Sequence, residues 1–179
     1  MDIVIHVDGQ PCHADAQGAV RLLDFLRDSA DSKSVKSACV SASCGACTVL
    51  LDGRSIRSCT VVTGQADGHS VTTVASTPDD ALLRRIQDAF VEFHATQCGF
   101  CSPGMVMAAL SLLREQGELD EESIRRGLRG NVCRCVGYPA ILRAMLSLSS
   151  MPSDEHPLPP APDSDHSSTV RPAARLSGH

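Results

Sequence analysis

With 179 residues, a net charge of -5 and 42% hydrophobic residues, the chain is long enough for one or two small domains but not for a large single core. Its 16 basic residues are scattered, only Lys33 and Lys36 are lysines, and no basic stripe alternates with aromatics, which argues against nucleic acid as a partner. No stretch approaches the roughly 18 consecutive apolar residues of a membrane span.

From the N-terminus, "IVIHV" (residues 3–7), the Asp8-Gly9 turn and residues 10–15 read as strand, tight turn and strand. In "AVRLLDFLRD" (residues 19–28), Val20, Leu23 and Leu26 stand at helical spacing, which predicts a short helix. "CTVLLD" (residues 47–52), Gly53 and "RSIRSC" predict a second strand–turn–strand, and "VTTVA" (residues 71–75) a last strand. The outcome is a small mixed sheet with one helix and a cysteine-bearing loop between helix and sheet.

The pattern changes near residue 77. "STPDD" reads as a helix start, with Thr77 as cap, Pro78 in the first turn and Asp80 closing a capping box. Leu82, Ile86, Phe90 and Phe93 then share one helical stripe. A second helix starts at "SPGM", with Ser102 as cap and Val106, Leu110 and Leu113 following. A third begins at Asp120, with Ile124 and Leu128 inward and Gly130 as its stop. A fourth covers about Tyr138 to Leu148, with Ile141, Leu142 and Met145 on its apolar side. The fold class expected is α+β, with a mixed domain over residues 1–77 and an all-α, four-helix domain over 78–150. Residues 151–179 hold six of the ten prolines and five serines, and predict a disordered tail. His156, His166 and His179 lie in that tail too far apart for a metal site.

Nine cysteines demand an explanation in a chain with four Phe, one Tyr and no Trp, because small cores of low aromatic content need reinforcement. The N-terminus carries Asp2, His6 and Asp8 among its apolar residues and lacks the basic start of a secretory signal, so a cytoplasmic home is expected. In that reducing setting clustered cysteines serve metals rather than disulfides.

Cys39, Cys44, Cys47 and Cys59 follow C-x4-C-x2-C-x11-C. The leading three match the plant-type [2Fe–2S] spacing, in which one loop wraps a two-iron cluster and a neighbouring element supplies the fourth thiolate. Zinc ribbons prefer two separated C-x2-C knuckles, so iron–sulfur is favoured here. Cys98, Cys101, Cys133 and Cys135 follow C-x2-C-x31-C-x-C. That spacing fits a two-knuckle zinc site as well as a cluster. Cys98 and Cys101 fall between the first and second predicted helices of the second domain, and Cys133 and Cys135 between its third and fourth. Two such loops meeting at one end of a bundle could enclose a cluster. Residues i and i+2 share a face in an extended segment, so "CRC" is expected to be an extended link with Arg134 pointing away. Cys12 reads as buried filler. There is no G-x-G-x-x-G after a strand and no P-loop, and no Ser/His/Asp arrangement stands out. The chain can hold clusters but shows no machinery for substrate chemistry.

With "LLDFLRD", "CGACTVLLDG", "SC" at 58–59, "VTTV", "IQDAFVEFHATQCGFCSPGM" and "GNVCRCVGYPAILRAM" in view, the chain resembles the small iron–sulfur subunit of the molybdenum hydroxylases, the xanthine dehydrogenase and aldehyde oxidoreductase family. The resemblance covers roughly residues 3–146. It implies a ferredoxin-like β-grasp domain followed by a four-helix domain, each with one [2Fe–2S] cluster on the eight cysteines named. It implies a large partner subunit that binds molybdopterin and oxidises the substrate, and a flavin subunit or another acceptor that takes the electrons. It also places Cys135 and Gln97 beside the pterin of that partner. One departure stands out: Ala38, Val40 and Ala42 occupy places where the family has glycine, and valine is poorly suited to positive φ. Restoring glycine at Val40 and Ala42 is therefore expected to affect the first cluster more than the second. Two other functions fit the residues: a free-standing two-cluster ferredoxin or redox sensor, and a zinc-bound structural module.

Overall fold

A computed structural model describes residues 2–15, 20–116 and 119–149. The predicted tail, 151–179, lies outside the described residues. The fold is α+β, a mixed five-stranded sheet with one helix, followed by four helices.

Strands β1 (Asp2–Val7) and β2 (Gln10–Asp15) pair antiparallel, joined by Asp8 and Gly9, both at positive φ. Helix α1 (Leu22–Asp28) follows, then β3 (Thr48–Leu51), β4 (Arg54–Arg57) and β5 (Ser70–Thr72). The sheet order is β2-β1-β5-β3-β4, with β1 and β5 parallel and the other neighbours antiparallel. Helix α1 lays Leu22, Leu23, Phe25 and Leu26 on Ile3, Ile5, Val7, Val49 and Val71.

Two sequence expectations shift here. The first helix starts at Leu22, not near residue 19, because the preceding backbone is already committed. Thr63 N–H donates to Val20 C=O at 2.9 Å, and Leu22 N–H to Val61 C=O at 2.7 Å. Val20 is exposed and stands outside the helical stripe. The last strand stops at Thr72, because Thr73 turns away to donate through both its N–H and its hydroxyl to the Asp8 carboxylate at 2.7 Å. Residues Val74–Asp79 then form a 3-10 stretch.

Helices α2 (Ala81–Glu92), α3 (Ser102–Gln116), α4 (Glu121–Leu128) and α5 (Tyr138–Ser149) make the second part. The cap of α2 is Asp80, whose carboxylate accepts the Leu83 N–H at 3.0 Å; the expected Thr77 cap is corrected accordingly. Asp80 is fixed in that role by a 2.5 Å ion pair with Arg114 of α3. Asp120 caps α4 through the Ser123 N–H at 2.8 Å, as expected. The predicted stripes close into one core: Leu82, Ile86 and Phe90, with Phe93 partly buried against it, then Val106, Leu110 and Leu113, then Ile124 and Leu128, then Ile141, Leu142 and Met145.

The two parts share β3. Alternation along the strand sends Val49 into the sheet core and Leu50 into the helical core, so β3 is buried on both faces. Helix α3 lies along this strand, and Ser111 Oγ accepts the Ser55 N–H of β4 at 3.1 Å. That packing brings the N-terminus of α3 to the cysteine loop that precedes β3.

Candidate metal centres

The loop from Ser29 to Cys47 is built on turns rather than strands. Of Ala38, Val40 and Ala42, where glycine is expected, Ala42 alone takes a left-handed conformation, with φ of 56°. Val40 has no positive φ and projects into solvent, 99% exposed. The expected backbone conflict therefore falls on Ala42 and not on Val40. Flanking it, the hydroxyls of Ser41 and Ser43 are hydrogen-bonded at 2.9 Å.

The four thiols of the first quartet associate as two pairs, Cys39 with Cys44 and Cys47 with Cys59. Backbone N–H groups of Cys44, Ser43 and Ser41 are directed at the Cys39 sulfur, the first being the strongest, and hold its pKa at about 6. Burial dominates at Cys59, whose thiol is pushed up to about 11, with the Cys47 sulfur and the charges of Cys47, Cys39 and Cys44 adding to the effect. Burial also raises Cys44, although the Ala46 N–H reaches its sulfur at 3.5 Å. The fully buried Ser58 anchors the element carrying Cys59, since both its N–H (3.2 Å) and its hydroxyl (2.8 Å) donate to the Cys47 carbonyl.

The second quartet lies on two interhelical loops. Helix α2 ends in a Schellman motif: Ala95 N–H donates to Phe90 C=O at 2.8 Å and His94 N–H to Val91 C=O at 3.1 Å, with His94 at φ of 52°. This turn launches the segment with exposed Gln97 and Cys98, and Cys101 sits just before α3. Cys133 and Cys135 lie between α4 and α5. Again there are two pairs. Cys135 Sγ and Cys98 Sγ are 3.4 Å apart, and Cys101 contacts Cys133. Burial pushes Cys101 up to about 12, reinforced by the Cys133 sulfur. Cys133 is itself partly buried, but N–H groups of Cys135, Val136 and Gly137 outweigh that and lower its pKa. The Phe100 N–H is the main cause that lowers Cys98, while its partner Cys135 is raised by the Cys98 sulfur.

"CRC" is therefore bent, not extended. The chain curls over Cys133 so that three following amides point at its sulfur, with Gly137 at φ of 72° closing the curl. Arg134 is exposed, as expected. The tight spacing sends Cys133 to Cys101 and Cys135 to Cys98, one thiol to each pair.

Both quartets suit a two-iron cluster, which takes two thiolates at each iron. A lone tetrahedral zinc needs all four donors gathered at one point. Among the described residues no three or more His, Cys, Asp or Glu gather in that way. The amides aimed at Cys39 and Cys133 are the kind of donors that stabilise anionic sulfur. No disulfide joins any of the nine cysteines, and partly buried Cys12 in β2 stands outside both quartets, with its pKa raised chiefly by burial.

Sequence reasoning assigned no part to the residues that join the two loops. Asn131, Gly45, Gly104 and Arg57 meet there, and their partners lie many tens of positions away. "GN" directly before "VCRC" was the one local sign of a special turn.

Residues 5–70 match the 2Fe-2S iron-sulfur cluster binding domain family, and residues 72–146 match the [2Fe-2S] binding domain family. The chain is 38% identical over 146 residues to the nicotine 6-hydroxylase small subunit of Paenarthrobacter nicotinovorans, covering 82% of this chain and 88% of that one. It is 39% identical over 142 residues to the xanthine dehydrogenase iron-sulfur-binding subunit of Escherichia coli O157:H7, covering 78% and 89%. Among solved structures, quinoline 2-oxidoreductase from Pseudomonas putida 86 superposes with a TM-score of 0.75 at 35% identity, over 83% of this chain and 92% of that one. Two cluster-binding domains and relatives matched over most of their length place this chain among the small [2Fe–2S] subunits of the molybdenum hydroxylase (xanthine dehydrogenase and aldehyde oxidoreductase) family.

Proposed function

We propose that this chain is the electron-transfer subunit of a molybdenum hydroxylase. One [2Fe–2S] cluster is held by Cys39, Cys44, Cys47 and Cys59, in a β-grasp domain over residues 1–77. A second is held by Cys98, Cys101, Cys133 and Cys135, in a four-helix domain over 78–150. The observation that carries this reading is the division of eight thiols into four contacting pairs, two pairs in each quartet. The clusters supply one-electron storage at two adjacent stations.

The protein's share of the work is orientation and charge. Amides directed at Cys39 and Cys133 favour their anionic forms. Cys135, exposed beside Gln97 and Cys98, presents the second quartet to a partner's molybdopterin, and Gln97 helps seat that pterin. Electrons enter there and leave one at a time from the first quartet to a flavin subunit or another acceptor. The substrate chemistry belongs to the large partner. Eight cysteines grouped as cluster ligands fit a reducing cytoplasm better than a disulfide framework, and no helix among the described residues is long and apolar enough to cross a membrane.

The test is to purify the chain at native levels with whatever accompanies it, and to count metals. A large molybdenum-bearing partner and about four irons with four labile sulfides per chain are expected. Iron and sulfide without that partner would instead make it a free-standing two-cluster ferredoxin. Zinc with no labile sulfide would reject both.

A further inference from the structure

The two cysteine loops are not independent. Asn131, 6% exposed, stands between them with both amide hydrogens engaged. Nδ2 donates to the Gly45 carbonyl at 2.9 Å and to Thr48 Oγ1 at 3.2 Å. The Thr48 hydroxyl in turn donates to the same Gly45 carbonyl at 2.7 Å. Asn131 is held from behind by its own N–H to Leu128 C=O at 2.9 Å, and by the Tyr138 hydroxyl, which donates to its carbonyl at 2.9 Å. The Gly45 carbonyl is only an acceptor, so the amide nitrogen must face it.

The contact is too close for side chains. A Cβ on Gly45 would lie 2.3 Å from the Gly130 carbonyl and 2.8 Å from the Asn131 amide, and one on Gly104 would lie 2.3 Å from the Gly45 carbonyl. On this seam the Val132 N–H donates to the Cys44 carbonyl at 2.8 Å. Cys44 belongs to the first quartet, and Val132 immediately precedes Cys133 of the second. One backbone hydrogen bond thus joins a thiol residue of one quartet to the neighbour of a thiol residue of the other. Arg57, two positions before Cys59, adds a bond from Nη2 to the Gly130 carbonyl at 3.2 Å.

We infer that Asn131 is a positioning residue for electron transfer between the two centres: its amide clamps Gly45 so that the Cys44–Val132 hydrogen bond persists and the quartets keep one separation. This rests on the reading of both quartets as cluster ligands. An electron crossing the seam leaves one centre oxidised and the other reduced, and no covalent bond or proton is exchanged there. Asn131→Asp removes both donors and sets a buried carboxylate against the Gly45 carbonyl and Thr48 Oγ1, so the cross-loop bonds are lost and only the Thr48 hydroxyl (2.7 Å) and N–H (3.1 Å) remain on that carbonyl.

The test compares the full-length wild type with Asn131→Asp and Thr48→Val by two measurements. The first is amide hydrogen exchange at Val132. It needs no metal, and exchange is expected to quicken about tenfold or more in Asn131→Asp, and less in Thr48→Val. The second is the spin–spin splitting between the two reduced clusters by electron paramagnetic resonance, alongside iron and sulfide counts. It should weaken in Asn131→Asp while the iron content stays at the wild-type value. Unchanged Val132 exchange in Asn131→Asp overturns the clamp. Faster exchange with an unaltered splitting at full iron content overturns the role in electron transfer. If Asn131→Asp loses iron, the Thr48→Val splitting decides in the same way. A wild type without iron and labile sulfide defeats the cluster reading instead, while the exchange result still judges the clamp.

Discussion

Asp80 and Arg114 form a 2.5 Å ion pair between the start of α2 and the last turn of α3, with both side chains largely buried. The same carboxylate caps α2 through the Leu83 N–H at 3.0 Å. One side chain therefore sets where α2 begins and how it lies on α3.

Asp80→Ala removes the cap and leaves the Arg114 guanidinium buried beside no counter-charge. A loss of about 3 kcal/mol of unfolding free energy is expected, the low end for breaking a buried pair. Asp80→Asn keeps a capping oxygen and should lose less. Urea unfolding of both variants checks the order, and equal losses would mean that the charge, not the cap, dominates.

Ala42 sits at φ of 56°, and Val40 does not have a positive φ. Ala42→Gly should relieve about 1 kcal/mol of local strain. Val40→Gly should give no such gain, because it only frees a residue whose side chain is already in solvent. The visible absorbance of the first cluster, followed during heating, should persist longer in Ala42→Gly than in wild type and no longer in Val40→Gly. The second cluster should be affected by neither.

Gln97 and Cys135 are both neighbours of Cys98, and the proposed function gives them different tasks. Cys135→Ala should cost the second cluster, lowering iron from about four to about two per chain, since thiolate ligation and local folding are coupled. Gln97→Ala should leave the iron count intact and slow reduction of the clusters by substrate in the assembled complex. Cys135→Ala protein that keeps both clusters and normal reduction would remove Cys135 from the ligand set.

Two surface carboxylates predict the acid limb of stability. Asp52 is partly buried, which alone would raise its pKa. The Ser70 N–H and the His69 ring outweigh that and hold it below the usual value. Asp120 is lowered by the Ser123 hydroxyl and N–H that it accepts at the start of α4. A depressed folded pKa means that protons bind the unfolded chain more readily. The contribution is thus fully present above the ordinary carboxylate pKa of about 4 and is lost as pH falls through the lower folded values. The urea midpoint of the wild type should fall more between pH 5 and pH 3 than that of the double variant Asp52→Asn, Asp120→Asn. Parallel curves would remove these two groups from the acid response.

Much of this protein was legible in near neighbours along the chain. Asp8-Gly9 announced a tight turn, Asp120 a cap, and the stripes through Leu82, Ile86 and Phe90 or Ile124 and Leu128 a shared helical core. These are signals between residues a few positions apart, where backbone geometry alone decides which side chains meet. The cysteine spacings belong to the same class, since one loop can wrap only what its own length reaches. What the sequence left open depended on packing. The start of α2 is not set by its near neighbours, because its cap, Asp80, is held by Arg114, 34 positions away. "CRC" bends because three amides converge on Cys133, and the pairs cross from one loop to the other. The seam itself joins Asn131 to Gly45 across 86 positions, and exists only because α3 lies on β3 closely enough that Gly104 and Gly45 admit no Cβ. Local spacing determined that this chain has two sets of four thiols; the burial of β3 on both faces decided that they sit side by side.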